Sequence, residues 1–532
     1  MPSIPARVAD IAKRHPERMA IVADDRRIRY AEFWEEAMRF AHALRTRGLQ
    51  PGGRVAIVLQ NRIEAAVACY GCWLAGGIAA PLNAQARSRD LEAWLHHCDA
   101  SHIVYEHSHA DAAEAIAAID ASRTVAPIER WPIGPEHPLC PPAREADDRE
   151  GVQRIDAEVI GADVMNTHVM DADAIDANVI ASDDVAVILY TSGTTGAPKG
   201  VTLTHGNLLV NASAVIRYLQ LDERDSVLSI LAFYYAYGAS VLHTHLLSGG
   251  CVVLAQNLLF PHLLMDAIAR ERITGFSGVP STYALLLERV KLADYDLSSL
   301  RYLTQAGGAM GAALTGRLRA AVPHARLFVM YGQTEATSRL TWLPPERLDE
   351  KSGAVGIPVD GVELRIARED GTTAEPFETG EVQVRGANVM RGYWNNPEAS
   401  ASVLRDGWLC TGDMGHLDAD GFLYLAGRRS DMIKTGAHRV HPNDIEEAIL
   451  EVSGVSEAAV VGIDDRILGQ VIKAFIVAPG LPPHSETMIK AHCRERLASY
   501  KIPRDIEFVS ALPRTASGKV RRAALLETQT IS

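Results

Sequence analysis

The stretch that decides how this chain is read is Val185-Ala-Val-Ile-Leu-Tyr190, followed at once by Thr191-Ser-Gly-Thr-Thr-Gly-Ala-Pro-Lys-Gly200. An unbroken apolar run of this length is typical of a strand buried on both faces. It empties into a segment built from glycine, hydroxyl residues and one lysine. Gly193 and Gly196 let backbone N–H groups turn inward, and Thr191, Ser192, Thr194 and Thr195 add hydroxyl donors, so the loop can wrap phosphate oxygens. Lys199 supplies a movable positive charge. The segment is not a Walker A loop, because Ala197-Pro198 separates Gly196 from the lysine and glycine, not Ser/Thr, follows it. Alone, it could equally be a flexible surface loop.

On the N-terminal side, ARVADIAKRH, RVAIVL, EAAVACYGCWLA and HIVYE alternate amphipathic and apolar stretches, which argues for a parallel α/β sheet. From 141 to 184 the texture turns to Asp and Ala, with a weak internal repeat (155–165 against 175–185), and reads as a solvated linker or extra hairpin. Downstream, CVVLA, LFVMY and EVQVRG read as further strands, and Asp420-Gly421 marks a hairpin turn. After Arg428 the order becomes helix (NDIEEAILEV), strand (AAVVGI), strand (IKAFIVA) and helix (ETMIKAHCRERLA), which suggests a separate small α+β domain.

The 532 residues exceed what one core usually organises, so at least two domains are expected. A net charge of -13 offers no basic field for nucleic acid or an anionic membrane. The N-terminus lacks the apolar core of a signal peptide, and the run Ala65–Leu82 is too interrupted by Gly and Pro to span a bilayer. Seven scattered cysteines point to a reducing cytoplasm. Cys69 and Cys72 form a C-x-x-C pair, but no second pair completes a metal site, and helix packing is the better reading. His96, His97 and Cys98 are taken as surface.

Five further segments follow the glycine-rich loop: Ala306-Gly-Gly-Ala309, Tyr331-Gly-Gln-Thr-Glu-Ala-Thr337, Thr411-Gly-Asp413, Gly427-Arg428 and Pro513-Arg-Thr-Ala-Ser-Gly-Lys519. With it, and in this order, they resemble the adenylate-forming superfamily of acyl-CoA synthetases, peptide-synthetase adenylation domains and firefly luciferase. The resemblance covers nearly the whole chain. It implies an α/β fold with a large N-terminal domain (1–427) of α/β subdomains plus a distorted β-barrel, and a small mobile α+β domain (428–532). The implied co-reactants are ATP, Mg²⁺ and coenzyme A.

The residue chemistry agrees with the implied roles. Tyr331 offers a flat face for adenine, beside the small Gly307, Gly308 and Ala309. Gly332 and Gln333 continue that contact. Thr334 can donate to the α-phosphate, and Glu335 is a hard carboxylate suited to Mg²⁺. Asp413 fits the ribose hydroxyls, with Leu425 and Arg428 nearby. The resemblance makes Lys519 catalytic, delivering an ammonium to the reacting centre. It also implies a rotation of the small domain that withdraws Lys519 and opens a pantetheine path past Gly436 and Ala437. The family's pivot, usually Asp or Lys, aligns with Ser430.

The substrate is read from Phe233-Tyr-Tyr-Ala-Tyr-Gly-Ala-Ser-Val241. Amino-acid-activating relatives place aspartate where this chain has Gly238, so a plain carboxylic acid is expected, because an unpaired buried ammonium is costly. Tyr234, Tyr235 and Tyr237 are expected to line an aromatic pocket, with room left at Gly238. Aryl acids or medium acyl chains follow as candidates. The expected function is acid:CoA ligase. The alternatives are loading of a separate carrier protein, a luciferase-like oxygenase, or a non-catalytic nucleotide-binding module.

Overall fold

The computed structural model describes residues 2–23, 26–122, 127–134, 138–139, 175–191, 198–255, 260–435, 438–465, 468–482, 485–515 and 520–527. The apolar run forms the strand Val185–Thr191, buried from Ala186 to Tyr190. It pairs in parallel with Ile78–Pro81 and antiparallel with Lys199–Thr204, where Thr191 faces Lys199. The glycine-rich segment therefore joins two antiparallel strands, unlike a loop that opens a helix. Residues 192–197 lie outside the described residues.

These strands belong to a seven-stranded sheet ordered Gly392–Tyr393, Lys199–Thr204, Val185–Thr191, Ile78–Pro81, Arg54–Val58, His102–Glu106, Glu129–Ile133. A second, larger sheet holds six parallel strands in the order Met19–Val22, Cys251–Leu254, Ser226–Ser229, Gly275–Gly278, Tyr302–Gln305, Arg326–Tyr331. Beyond Arg326–Tyr331 the pairing turns antiparallel through Thr341–Leu343, Ala354–Pro358, Leu423–Arg428, Trp408–Leu417, Gly380–Gly386 and Val362–Ala367. The strands expected as a barrel subdomain thus continue edge-on from the parallel sheet. The expected turn at Asp420-Gly421 joins two of them, and Gly421 takes a φ of +81° that glycine adopts without strain.

One apolar core takes residues from both sheets, including Val55, Ile57 and Val187 from one and Ile21, Val227 and Phe328 from the other. The helix Ile63–Leu74 sits in this core and is buried along its whole length except at Glu64, as an all-round apolar helix must be. The Trp73 indole donates to the Ala186 carbonyl at 2.7 Å, tying the helix to the strand that feeds the glycine-rich loop. Cys69 and Cys72 are buried in that helix, and burial pushes both thiols up, as packing residues.

One surface expectation needs correction. Cys98 is fully buried, and His97 bonds through Nδ1 to the Tyr190 hydroxyl at 2.9 Å, so only His96 faces outward. The 141–184 stretch lies mostly outside the described residues. In its last part, 175–184, most residues are exposed, and Ala177 alone is buried, its carbonyl accepting from the Ser3 hydroxyl.

The C-terminal stretch forms its own five-stranded sheet, with Gly469–Val477 flanked by Glu457–Asp465 and Asp505–Phe508. Helices Pro442–Leu450 and Glu486–Arg496 cover a separate core built on Ile445, Ile449, Ile472, Ile489 and Cys493. Among the described residues, no helix is long and apolar enough to cross a membrane.

Candidate active site

Tyr331 ends the last parallel strand, where the larger sheet changes from parallel to antiparallel pairing. Its buried hydroxyl donates to Asp413 Oδ2 at 2.5 Å. Burial, reinforced by the Asp413 charge, raises this hydroxyl well above its usual range, so it stays protonated and donates. Asp413 faces Arg428 across the hairpin, and its other oxygen lies 2.8 Å from Arg428 Nε. Burial works against the Arg428 charge, but the Asp413 and Glu335 carboxylates outweigh it and raise the group. A single carboxylate therefore organises an aromatic ring and a half-exposed guanidinium.

The chain after Tyr331 turns sharply. A Cβ at Gly332 would lie 1.9 Å from the Ser338 carbonyl oxygen, so only glycine fits. Gln333 precedes the short 3₁₀ helix Thr334–Ala336, and its Nε2 is buried without a hydrogen-bond partner. Glu335 Oε1 accepts from the Tyr393 hydroxyl at 2.9 Å. Tyr393 comes from the other sheet, and the Lys199 ammonium lies 5.7 Å from its ring centroid. Tyr393 thus links the base of the glycine-rich loop to Glu335.

Thr337 closes the turn at φ +71°, a conformation that costs a β-branched residue about 1–3 kcal/mol. It is held by a 2.6 Å hydrogen bond from its hydroxyl to the Asn388 carbonyl, while the Asn388 amide donates to Ala336 O at 3.2 Å. Across from this turn, Gly307 (φ +88°), Gly308 and Ala309 form an exposed ledge, secured by Gln305 donating to Gly308 O at 2.6 Å.

The model of the AMP-binding enzyme family matches residues 8–394, and that of the AMP-binding enzyme C-terminal domain matches residues 444–519. The chain belongs to the AMP-binding enzymes, and within them to the acyl-CoA synthetases. It is 32% identical to a long-chain-fatty-acid–CoA ligase of Bacillus subtilis, covering 98% of this chain and 94% of that one. It is 34% identical to a feruloyl-CoA synthase of Amycolatopsis sp, covering 96% and 95%. Among solved structures, o-succinylbenzoate CoA synthetase from Bacillus subtilis, in complex with its acyl-adenylate intermediate, matches with a TM-score of 0.81. That match is at 30% identity over 98% of each chain.

Several residues expected to serve this acyl-CoA synthetase do converge. Tyr331, Asp413 and Arg428 touch, Leu425 lies on the same hairpin strand, and Thr334 and Glu335 follow Tyr331 directly. Ser430 lies just beyond, in the exposed 3₁₀ turn Arg429–Asp431, bonding Asp431. Lys519, Gly436, Ala437 and the loop residues Ser192, Gly193, Thr194, Thr195 and Gly196 lie outside the described residues. Tyr393 was missed, although it sits in the compact run Arg391-Gly-Tyr-Trp394, beside a strand pairing with Lys199–Thr204.

The segment 233–241 contributes only some of its expected residues to a cavity. A narrow cavity of about 40 Å³ lies between the seven-stranded sheet and the helices packed on it, lined by Trp73, Phe233, Tyr234, Ser240, His243 and Thr337 among others. Of the three tyrosines, Tyr234 lines it. Tyr237 does not, since its hydroxyl bonds Thr304 O and Oγ1 at 3.0 and 2.9 Å and Arg339 covers its ring at 4.1 Å. Tyr235 is also absent from the lining, its ring packing edge-on against Tyr234 at 4.7 Å. Gly238 leaves no room in the cavity: a Cβ there would lie 2.1 Å from Ala232 O, so the glycine answers a backbone approach.

Proposed function

We propose that this chain activates a small carboxylic acid with ATP, releasing pyrophosphate, and then transfers the acyl group to the thiol of coenzyme A. The observation that carries this is the Asp413 cluster, where one carboxylate holds Tyr331 and Arg428 beside the Glu335–Tyr393 pair. The residues present fit a nucleotide. The exposed Gly307–Ala309 ledge and the Tyr331 ring suit adenine, and the unpartnered Gln333 Nε2 is a donor awaiting an acceptor. Glu335 Oε2 accepts no hydrogen bond among the described residues, which leaves a hard oxygen for magnesium. The bound ion would neutralise charge on the phosphate oxygens.

The acid is already ionised at neutral pH, so no general base is required. Its carboxylate oxygen attacks the α-phosphorus, and the bond to pyrophosphate breaks. Thr334 donates to the α-phosphate, the Lys199 loop holds the departing phosphates, and the Lys519 ammonium stabilises charge at the reacting centre. The coenzyme A sulfur then attacks the acyl carbon and AMP leaves. We assign residues 1–427 to the adenylation domain and 428–532 to the mobile one, with Ser430 as pivot and Gly436 and Ala437 beside the thiol path. The family matches, ending at 394 and resuming at 444, bracket that boundary.

The expected acids are aryl or medium-chain, in keeping with the aromatic cavity walls, and the compartment is the cytoplasm, in keeping with free cysteines. The test is a coupled assay of pyrophosphate release and thioester formation across aryl, fatty and amino acids. Coenzyme A is compared with a pantetheinylated carrier protein. Adenylation with thioester formed only on the carrier would reassign the acceptor. Release of ADP instead of AMP would sink the reading.

A further inference from the structure

Directly after Lys519 the chain runs Val520-Arg-Arg522-Ala-Ala-Leu-Leu-Glu527, and its two arginines go to different places. Arg521 is exposed, whereas Arg522 and Leu525, three residues apart in the short helix Arg522–Glu527, both face the small domain's sheet. Leu512, Val520 and Leu525 pack there with Ala459, Val461 and Phe475. The Arg521 N–H donates to Pro513 O at 2.8 Å, and Arg514 pairs with Val520 in an antiparallel bridge. The stretch 515–519 is therefore closed at its base, and Lys519 is bonded directly to the anchored Val520.

Arg522 holds that base in place. Its Nη2 meets both oxygens of Glu446 at 2.7 and 2.9 Å, and its Nε donates to Val460 O at 3.3 Å. Glu446 lies on the helix Pro442–Leu450 with its side chain only 13% exposed, and its Oε1 also accepts from the Val460 N–H at 2.7 Å. Burial pushes the Glu446 carboxyl above its usual range, while Arg522 and the Val460 N–H pull the other way. The other arm of the guanidinium, Nη1, lies 3.4 Å from Asp431 Oδ2, and Asp431 Oδ1 accepts from the Ser430 hydroxyl at 3.0 Å. One guanidinium thus joins a helix, the strand Glu457–Asp465 and the turn Arg429–Asp431. On the other stem, Arg514 lies 2.8 Å from Glu457. Packing alone calls for an apolar side chain at 522, since a charge there needs a buried counter-charge that stability does not require.

We propose that Arg522 is a positioning residue for adenylation: it fixes the base of the stretch that carries Lys519 and ties it to the turn at Ser430, so that the two move as one body. Its planar fork suits this task, because a lysine would meet one partner but not the carboxylate, the carbonyl and the turn together. A reacting group misplaced by about 1 Å can lose up to about 10²-fold in rate, so a clamp three residues from Lys519 acts on the chemical step. This rests on the roles given above to Lys519 and Ser430, and supplies the link between them.

The experiment compares both half-reactions, in single turnover on the full chain, in Arg522→Met, Arg522→Lys, Lys519→Ala and the double variant Lys519→Ala/Arg522→Met. The acid is whichever of benzoate, cinnamate and decanoate the unvaried enzyme activates fastest. Arg522→Met should slow acyl-AMP formation about 10–30-fold at saturating ATP and acid, with the ATP KM little changed. Thioester formation from supplied acyl-AMP should keep its rate, and Arg522→Lys should recover part of the loss. In the Lys519→Ala background Arg522→Met should add nothing, because a residue that acts through Lys519 has no effect once the ammonium is gone. A merely structural arginine would slow both half-reactions alike and add its full effect to that of Lys519→Ala. That result would overturn the inference, and so would an unslowed Arg522→Met. If Arg522→Met does not fold, Arg522→Lys carries the same comparison, with additivity again the overturning result. Normal acyl-AMP formation by Lys519→Ala alone would instead remove the role of Lys519, and the clamp with it.

Discussion

The two sides of the proposed site are built on different principles. On the nucleotide side the ionisable groups already hold one another: Asp413 engages Tyr331 and Arg428, and Glu335 engages Tyr393. On the acyl side the walls are apolar and shape dominates, with Gly238 pressed against backbone and Tyr237 locked to Thr304. Removing Asp413 leaves the buried Tyr331 hydroxyl without its acceptor and the half-exposed Arg428 without its counter-charge, so losses there fall on binding and rate. Changes on the acyl side act through packing, and fall on stability or on choice of acid.

The largest effect expected lies with Lys519, to which we assign the charge-stabilising role in adenylation. Lys519→Ala should slow acyl-AMP formation about 10²–10³-fold, the scale for one lost transition-state charge stabiliser. Thioester formation from supplied acyl-AMP should survive. Single-turnover measurement of each half-reaction checks this, and an equal fall in both with the fold intact would refute alternating use of the small domain.

Asp413→Asn comes next. The amide keeps the shape but not the charge that Arg428 meets, and it weakens the acceptor for Tyr331. Loss of charge-assisted bonds of about 1.5–3 kcal/mol each predicts a drop of roughly 10–100-fold in kcat/KM for ATP, with the acid's KM little changed. If the acid's KM moved instead, the division between the two sides would be misdrawn.

Gly238→Ala is the counterpart on the acyl side. The added methyl collides with the Ala232 carbonyl, and overpacking of this kind costs about 1–3 kcal/mol. Thermal unfolding should shift downward while the ATP KM stays constant. An unchanged melting temperature with an altered acid profile would return Gly238 to the pocket.

Why one side was readable in the sequence and the other was not follows from the same contrast. Phosphate, ribose and metal each demand particular residue types in short contiguous runs, so Tyr331 to Glu335 and Thr411 to Asp413 announced themselves. The parallel strands were legible too, because strands buried on both faces leave unbroken apolar runs. The segment 233–241 did not announce its geometry. Its tyrosines look alike in a string, and helical phase separates them: Ala236, Ala239, Ser240 and His243 share the cavity face, while Tyr237 and Gly238 turn away from it. Tyr393 was hidden for a different reason, since its link to Glu335 depends on strand pairing between segments almost 200 residues apart, Lys199–Thr204 and Gly392–Tyr393.

The central claim is that the acid is joined to AMP before any thiol takes part. Its most direct test is exchange of labelled pyrophosphate into ATP, driven by an activated acid, with coenzyme A rigorously absent. Acid-dependent exchange, abolished by chelating magnesium, is the expected result. Exchange that appears only when coenzyme A is added, or label entering ATP from phosphate instead of pyrophosphate, would contradict it.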